Sequence, residues 1–140
     1  MPLLPVVSPE TILVVDDTPL VLVGVSLVLK KAGFTVLSAA SPEEAIQISL
    51  DFAGTIDLLL TDVMMPGMSG PDLATKLVKQ RTELRVVMMT AYPGGDLLVL
   101  NYGWQLITKP CVPKVLLEKV NSVLHSPDRS QEPDQFHTSA

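Results

Sequence analysis

Short apolar runs alternate with amphipathic stretches along the chain. The runs at 12–16, 35–39, 58–61, 85–89 and 105–108 predict five strands, and several are apolar at every position, as strands covered on both faces must be. The intervening stretches carry helix-start signals. Ser41, Pro42 and Glu44 form a capping box with proline at the first helical position, and Ser69 with Asp72 repeats the device ahead of Leu73, Ala74, Leu77 and Val78. Pro113 opens a last helix in which Leu116, Val120, Val123 and Leu124 recur at helical spacing while Lys114, Glu118 and Lys119 point away. Five strands alternating with about five helices require right-handed crossovers and a parallel sheet with helices on both faces, a doubly wound α/β domain. Residues 1–10, with three prolines, read as a flexible arm, residues 11–125 as the domain, and residues 126–140, nearly devoid of apolar side chains, as a disordered tail.

The first helix breaks the amphipathic rule. Over residues 20–29 only Gly24 and Ser26 interrupt the aliphatics, so the helix is apolar nearly all round. A five-stranded domain cannot bury it completely. The stretch is therefore either a partner-binding surface or a tolerated display of valines.

Composition narrows the possibilities. The 140 residues are 47% hydrophobic and hold one cysteine, Cys111, which excludes a disulfide-stapled scaffold and is consistent with a reducing compartment. Mean hydropathy is +0.38, yet residues 20–29 are about half of what a membrane span needs, and the amino end lacks the basic residues of a secretory signal. A cytoplasmic location is expected. Fifteen acids against ten bases give a net charge of −5, which disfavours nucleic acid and anionic membrane surfaces as partners. Proteins or cations fit better.

In an open parallel sheet, ligands bind beyond the carboxyl ends of the strands. Those ends deliver Asp16 and Asp17, Asp62, Thr90 followed by Ala91, and Lys109 followed by Pro110. Singly, each has an ordinary explanation: an Asp pair makes turns and caps, a threonine a loop, a lysine a solvated charge. Together, three carboxylates on one rim would push up at least one pKa unless a cation sat among them. Mg²⁺ accepts such oxygen ligation while keeping several waters. A metal, a lysine and a threonine around a carboxylate suit a phosphoryl group. Asp62, alone on the central strand, is the natural nucleophile, leaving Asp16 and Asp17 as the metal pair.

The motifs Val14-Val15-Asp16-Asp17, Asp62-Val63-Met64-Met65-Pro66-Gly67-Met68-Ser69-Gly70, Thr90-Ala91 and Lys109-Pro110 resemble those of response-regulator receiver domains of two-component phosphorelay signalling. The resemblance spans about residues 11–124 and implies a flavodoxin-like sheet of order 2-1-3-4-5. It further implies that Asp62 accepts a phosphoryl group from a phosphohistidine. Mg²⁺ would then be held by Asp16, Asp17, Asp62 and the Met64 carbonyl, with Thr90 and Lys109 on the phosphoryl oxygens and Ala91 leaving room for them. The implied partner is a sensor histidine kinase or phosphotransfer protein docking on the 20–29 helix, and whether that helix also drives a homodimer stays open. The domain would be no enzyme beyond its own phosphorylation and dephosphorylation.

Several positions depart from the family pattern. Leu106 stands where most receivers carry the inward-turning tyrosine or phenylalanine, with Tyr102 or Trp104 as possible substitutes. The 91–108 stretch is short and contains Pro93-Gly94-Gly95, so its helix is expected to be short, irregular or mobile. Cys111 replaces a common phenylalanine and reads as a small apolar filler. Met64 beside Tyr92 should hinder an attacking water and make the phosphorylated state slow to decay. The remaining methionines read as loop and core packing. These features leave two origins, a single-domain regulator or the receiver of a hybrid sensor kinase, and tilt toward the second. The competing reading is a phosphorylation-independent interaction domain. A phosphohydrolase is disfavoured because Met64 stands where aspartate-nucleophile phosphatases place a second Asp, and FMN because the first turn is acidic.

Overall fold

The computed structural model describes residues 9–91 and 103–125, and these fold as β1 (Thr11–Val15), α1 (Pro19–Lys31), β2 (Thr35–Ala39), α2 (Pro42–Asp51), β3 (Leu58–Asp62), α3 (Gly70–Gln80), β4 (Arg85–Thr90), β5 (Gln105–Thr108) and α4 (Pro113–Leu124). All pairings are parallel, in the order β2-β1-β3-β4-β5. The five strands and the doubly wound topology are as expected. Strand ends differ by one residue: β1 stops at Val15, whereas β3 and β4 run on to Asp62 and Thr90. Residues 1–8 of the expected arm, the expected tail, and the 92–102 part of the irregular stretch, with Tyr92, Pro93-Gly94-Gly95 and Tyr102, lie outside the described residues.

Alternation along the strands divides the core in two. Leu13, Val15, Leu59 and Met88 face one side, where Ala45 of α2 and Leu73, Ala74 and Leu77 of α3 cover them. Ile12, Val14, Leu58, Leu60, Val87 and Met89 face the other, under Val25 and Leu29 of α1 and Leu116, Val120 and Leu124 of α4. Every residue of β1 and β3 is buried, which is why their sequences show no polar alternation, whereas β2 lies at an edge and is half exposed.

Helix ends are closed by residues both near and far in sequence. Ser41 Oγ accepts from Glu44 N at 3.1 Å, and the returning Glu44 carboxylate reaches Ala40 N at 2.7 Å, one residue earlier than the ideal box. Ser69 Oγ accepts from Asp72 N at 3.2 Å. α1 ends in a Schellman turn: Gly33, at φ 103°, donates to Lys30 O and Phe34 to Leu29 O. Neither α2 nor α4 has a basic residue in its last turn, and arginines from other elements serve instead. Arg81 donates to the carbonyls of Ser49, Phe52 and Gly54 at 2.7–2.9 Å and to Ser49 Oγ at 3.0 Å. Arg85 donates to Val123 O and to Leu124 O. Lys119, expected to point outward, is half-buried and donates to Gln105 Oε1 at 3.0 Å, because α4 lies directly over β5.

Arg81→Met keeps the aliphatic stem and removes four donors from the end of α2. Charged hydrogen bonds of this kind contribute about 1.5–3 kcal/mol, so a thermal melt should show a loss of roughly 5–10 °C. A change under about 2 °C would mean that water replaces the guanidinium at no cost.

Candidate phosphoryl-acceptor site

The parallel register brings the polar strand ends to one level. Val15 pairs with Thr61, so Asp16 and Asp62 are the next residues on adjacent strands; Asp62 pairs with Met89, one before Thr90, and Thr90 pairs with Thr108, one before Lys109. Lys109 N donates to Thr90 O at 2.7 Å, and the Lys109–Pro110 peptide is cis. The ladder thus converts four sequence-distant motifs into one rim.

The side chains converge there. Lys109 Nζ lies 2.7 Å from Asp16 Oδ2 and 3.3 Å from Asp62 Oδ2. One carboxylate oxygen from each of Asp16, Asp17 and Asp62 falls within a 4.8 Å cluster. Asp16 and Asp62 are buried and Asp17 is exposed, so the cluster opens to solvent on the Asp17 side. Thr90 is buried beside it. Asp16 fulfils both readings of an acid after a strand: Oδ1 accepts from Thr18 N at 2.8 Å and turns the chain into α1, while the buried Oδ2 has the Lys109 ammonium as its ion-pair partner and accepts no well-directed hydrogen bond. Three clustered carboxylates, two of them sharing a single ammonium, form a hard-oxygen donor set that fits a divalent cation.

The electrostatics follow from this crowding. Burial pushes the Asp62 carboxyl above the usual carboxylate range, the negative Asp16 adds to the push, and Lys109 opposes both. Burial alone would lower the Lys109 ammonium, but its bond to Asp16 and the charges of Asp16 and Asp62 outweigh that, and its pKa is raised. Cys111, half-buried against the α4-side core, has its thiol raised chiefly by burial, in line with a packing role.

The loop after β3 is held tightly. Met64 N faces Asp62 Oδ1 at 3.4 Å, the Thr61 hydroxyl donates to Asp62 O at 3.1 Å, and Gly70 N donates to Val63 O at 2.8 Å. A Cβ on Gly70 would stand 2.1 Å from Asp62 O. The sequence places Gly70 at the end of the motif that follows Asp62 but carries no sign that it touches the Asp62 backbone, nor that Thr61 steadies it. The Met64 side chain is half exposed at the rim, whereas Met88 and Met89 are fully buried and Met65 and Met68 pack on the core. Leu106, at the position of the missing aromatic, packs with Trp104 on the α2–α3 side of the core.

The chain matches the response regulator receiver domain family over residues 12–121. It is 31% identical over 121 residues to the sensor kinase CckA of Brucella abortus, covering 84% of this chain and 13% of that protein. Among solved structures, a CheY-like receiver domain protein from Methanospirillum hungatei superposes with a TM-score of 0.75 at 29% identity, covering 95% of this chain and all of that one. The CheX–CheY–BeF₃–Mg²⁺ complex of Borrelia burgdorferi gives 0.72 at 30% identity, over 82% of this chain and 89% of that one. The chain spans only 13–56% of the length of the first curated relatives it matches. Sheet order, rim motifs and these likenesses together place the chain in the response regulator receiver family, the phosphoacceptor domains of two-component signalling.

Proposed function

We infer that Asp62 is the phosphoacceptor of this domain. The observation that carries the assignment is the shared Lys109 ion pair: Asp62 ends the central strand with Oδ2 held by the ammonium that also grips Asp16, so one carboxylate is presented at the mouth of a cation-ready cluster. An Asp62 oxygen attacks the phosphorus of a phosphohistidine. The P–N bond breaks, the imidazole nitrogen keeps the electron pair, and an acyl phosphate forms on Asp62. Lys109 and the Thr90 hydroxyl bind the phosphoryl oxygens as charge redistributes. Asp16, Asp17, Asp62 and the Met64 carbonyl would hold Mg²⁺, which supplies charge neutralisation between carboxylates and phosphoryl oxygens. The bound Mg²⁺ and BeF₃ of the Borrelia CheY complex support this reading.

The donor is a sensor histidine kinase or phosphotransfer protein, and its docking surface is the outer face of α1. That helix begins two residues after Asp17, at the rim, and its apolar face remains exposed, so a helical donor lying along it would bring a histidine to Asp62. No helix among the described residues is long and apolar enough to cross a membrane, and a cytoplasmic setting suits this chemistry. Within that role the only turnover is the domain's own phosphorylation and dephosphorylation.

The test is intact mass after incubation with acetyl phosphate and Mg²⁺. One phosphoryl adduct is expected, absent from Asp62→Asn and absent with a chelator. An adduct that survives Asp62→Asn, or none with any donor, would overturn the assignment and favour a phosphorylation-independent interaction domain.

A further inference from the structure

Thr61 puts a hydroxyl into an apolar layer. It is fully buried in β3, and the residues two places before and after it, Leu59 and Val63, belong to the core under α2 and α3, as do its register partners Val15 and Met88. Residues in register share a face of the sheet, so Thr61 stands among Leu, Val and Met. Valine has the same branched shape and carries no hydroxyl that burial would penalise. Packing therefore does not ask for threonine at this position. What threonine adds is a donor, and that donor goes to Asp62 O at 3.1 Å, the same oxygen that lies 2.1 Å from where a Cβ on Gly70 would stand.

We propose that Thr61 is a positioning residue for phosphoryl acceptance, its hydroxyl fixing the Asp62 main chain from which the carboxylate meets Lys109 and the incoming phosphoryl group. The proposal rests on the reading of Asp62 as the acceptor. Asp62 O belongs to the peptide that joins Asp62 to Val63, and the N–H of that same peptide donates to Met89 O at 2.9 Å. Both polar ends of one rigid plane are thus held, which fixes its rotation about the Asp62 Cα–C bond. The next amide, Met64 N, faces Asp62 Oδ1 at 3.4 Å, so a turn of the plane moves that N–H relative to the carboxylate. Neighbouring side chains on a strand point to opposite faces, and Thr61 accordingly acts on Asp62 through the main chain alone. A displacement of about 1 Å at a reacting group can cost about a hundredfold in rate, whereas exchanging a hydroxyl for a methyl leaves the core filled.

The test is the time course of acetyl phosphate labelling with Mg²⁺, followed by intact mass well below the melting temperature of each protein, for the parent, Thr61→Val and Thr61→Ser. Thr61→Val should label at least about tenfold more slowly than the parent. Thr61→Ser keeps the hydroxyl and loses a buried methyl, so it should melt roughly 3–6 °C lower yet label within about threefold of the parent. A purely structural residue would not give this pattern, in which the variant with the cavity labels and the filled one does not. Labelling of Thr61→Val within about threefold of the parent would overturn the proposal while leaving Asp62 as the acceptor. So would a Thr61→Ser as slow as Thr61→Val. A parent that takes no phosphoryl group would instead overturn the Asp62 assignment, and the role of Thr61 with it.

Discussion

Gly70→Ala should lower the melting temperature by roughly 10–20 °C and impair phosphoryl acceptance beyond what the lost stability explains. The added methyl would stand 2.1 Å from the carbonyl oxygen of Asp62, with Asp62 C and Val63 Cα at 3.0 and 3.1 Å. All three are main-chain atoms, so no side chain can rotate away. Relief requires moving α3, whose first turn is tied to β3 by the Gly70 N to Val63 O bond, or moving the end of β3 itself. Either shift costs about 3–5 kcal/mol, the upper end of single substitutions, and the second also displaces the Asp62 carboxylate from Lys109. Thermal melts read the first effect and acetyl phosphate labelling well below the transition reads the second. A loss under about 3 °C would show that the α3–β3 contact relaxes freely.

Lys109→Ala should be nearly as costly, and its cost should depend on pH and on Mg²⁺. It strands the carboxylates of Asp16, wholly buried, and Asp62, 9% exposed, and breaking a buried ion pair from one side costs about 3–5 kcal/mol. Asp62 already has a raised carboxyl, and without Lys109 the upward push of burial and Asp16 is opposed only by the Met64 N–H, so it rises further. The contribution of a carboxyl raised on folding is complete below its unfolded pKa, about 3.9, and is lost as pH rises from there through the folded value. The deficit of Lys109→Ala relative to the parent should therefore be largest at neutral pH and shrink toward pH 4. Lys109 itself is raised, so its own contribution is fully present below its unfolded pKa of about 10.4 and lost only as pH rises through the folded value, leaving neutral measurements on the plateau. Millimolar Mg²⁺ should recover part of the loss by binding the folded form, and adding Asp62→Asn to Lys109→Ala should recover part without metal. A deficit that is flat with pH and blind to Mg²⁺ would mean that the acids are solvated rather than held in the cluster.

The chain's own pattern determined the alternation of strands and helices, the capped starts of α2 and α3, and the polar residues that end four of the strands. These depend on local chemistry: backbone preferences, capping and the two-sided burial of parallel strands. It also contained the motifs from which receiver topology and the Asp16, Asp17, Asp62, Thr90 and Lys109 set could be read. What the tertiary structure decided depends on distance rather than order. Leu13 and Val14 are equally apolar, and only sheet packing sends one to α2 and α3 and the other to α1 and α4. Nothing in the local pattern marks Arg81 or Arg85 as a partner for a helix end, and the ends of α2 and α4 come beside them only in the fold. Gly70 reads as one more turn glycine until α3 is laid against β3. Asp16 could have been a turn or an ion ligand, and its two oxygens divide the tasks only because parallel register sets Lys109 at the same level as Asp62. Local patterns specify elements, but partners many residues apart in sequence are chosen by packing and charge, which exist only once the sheet has closed.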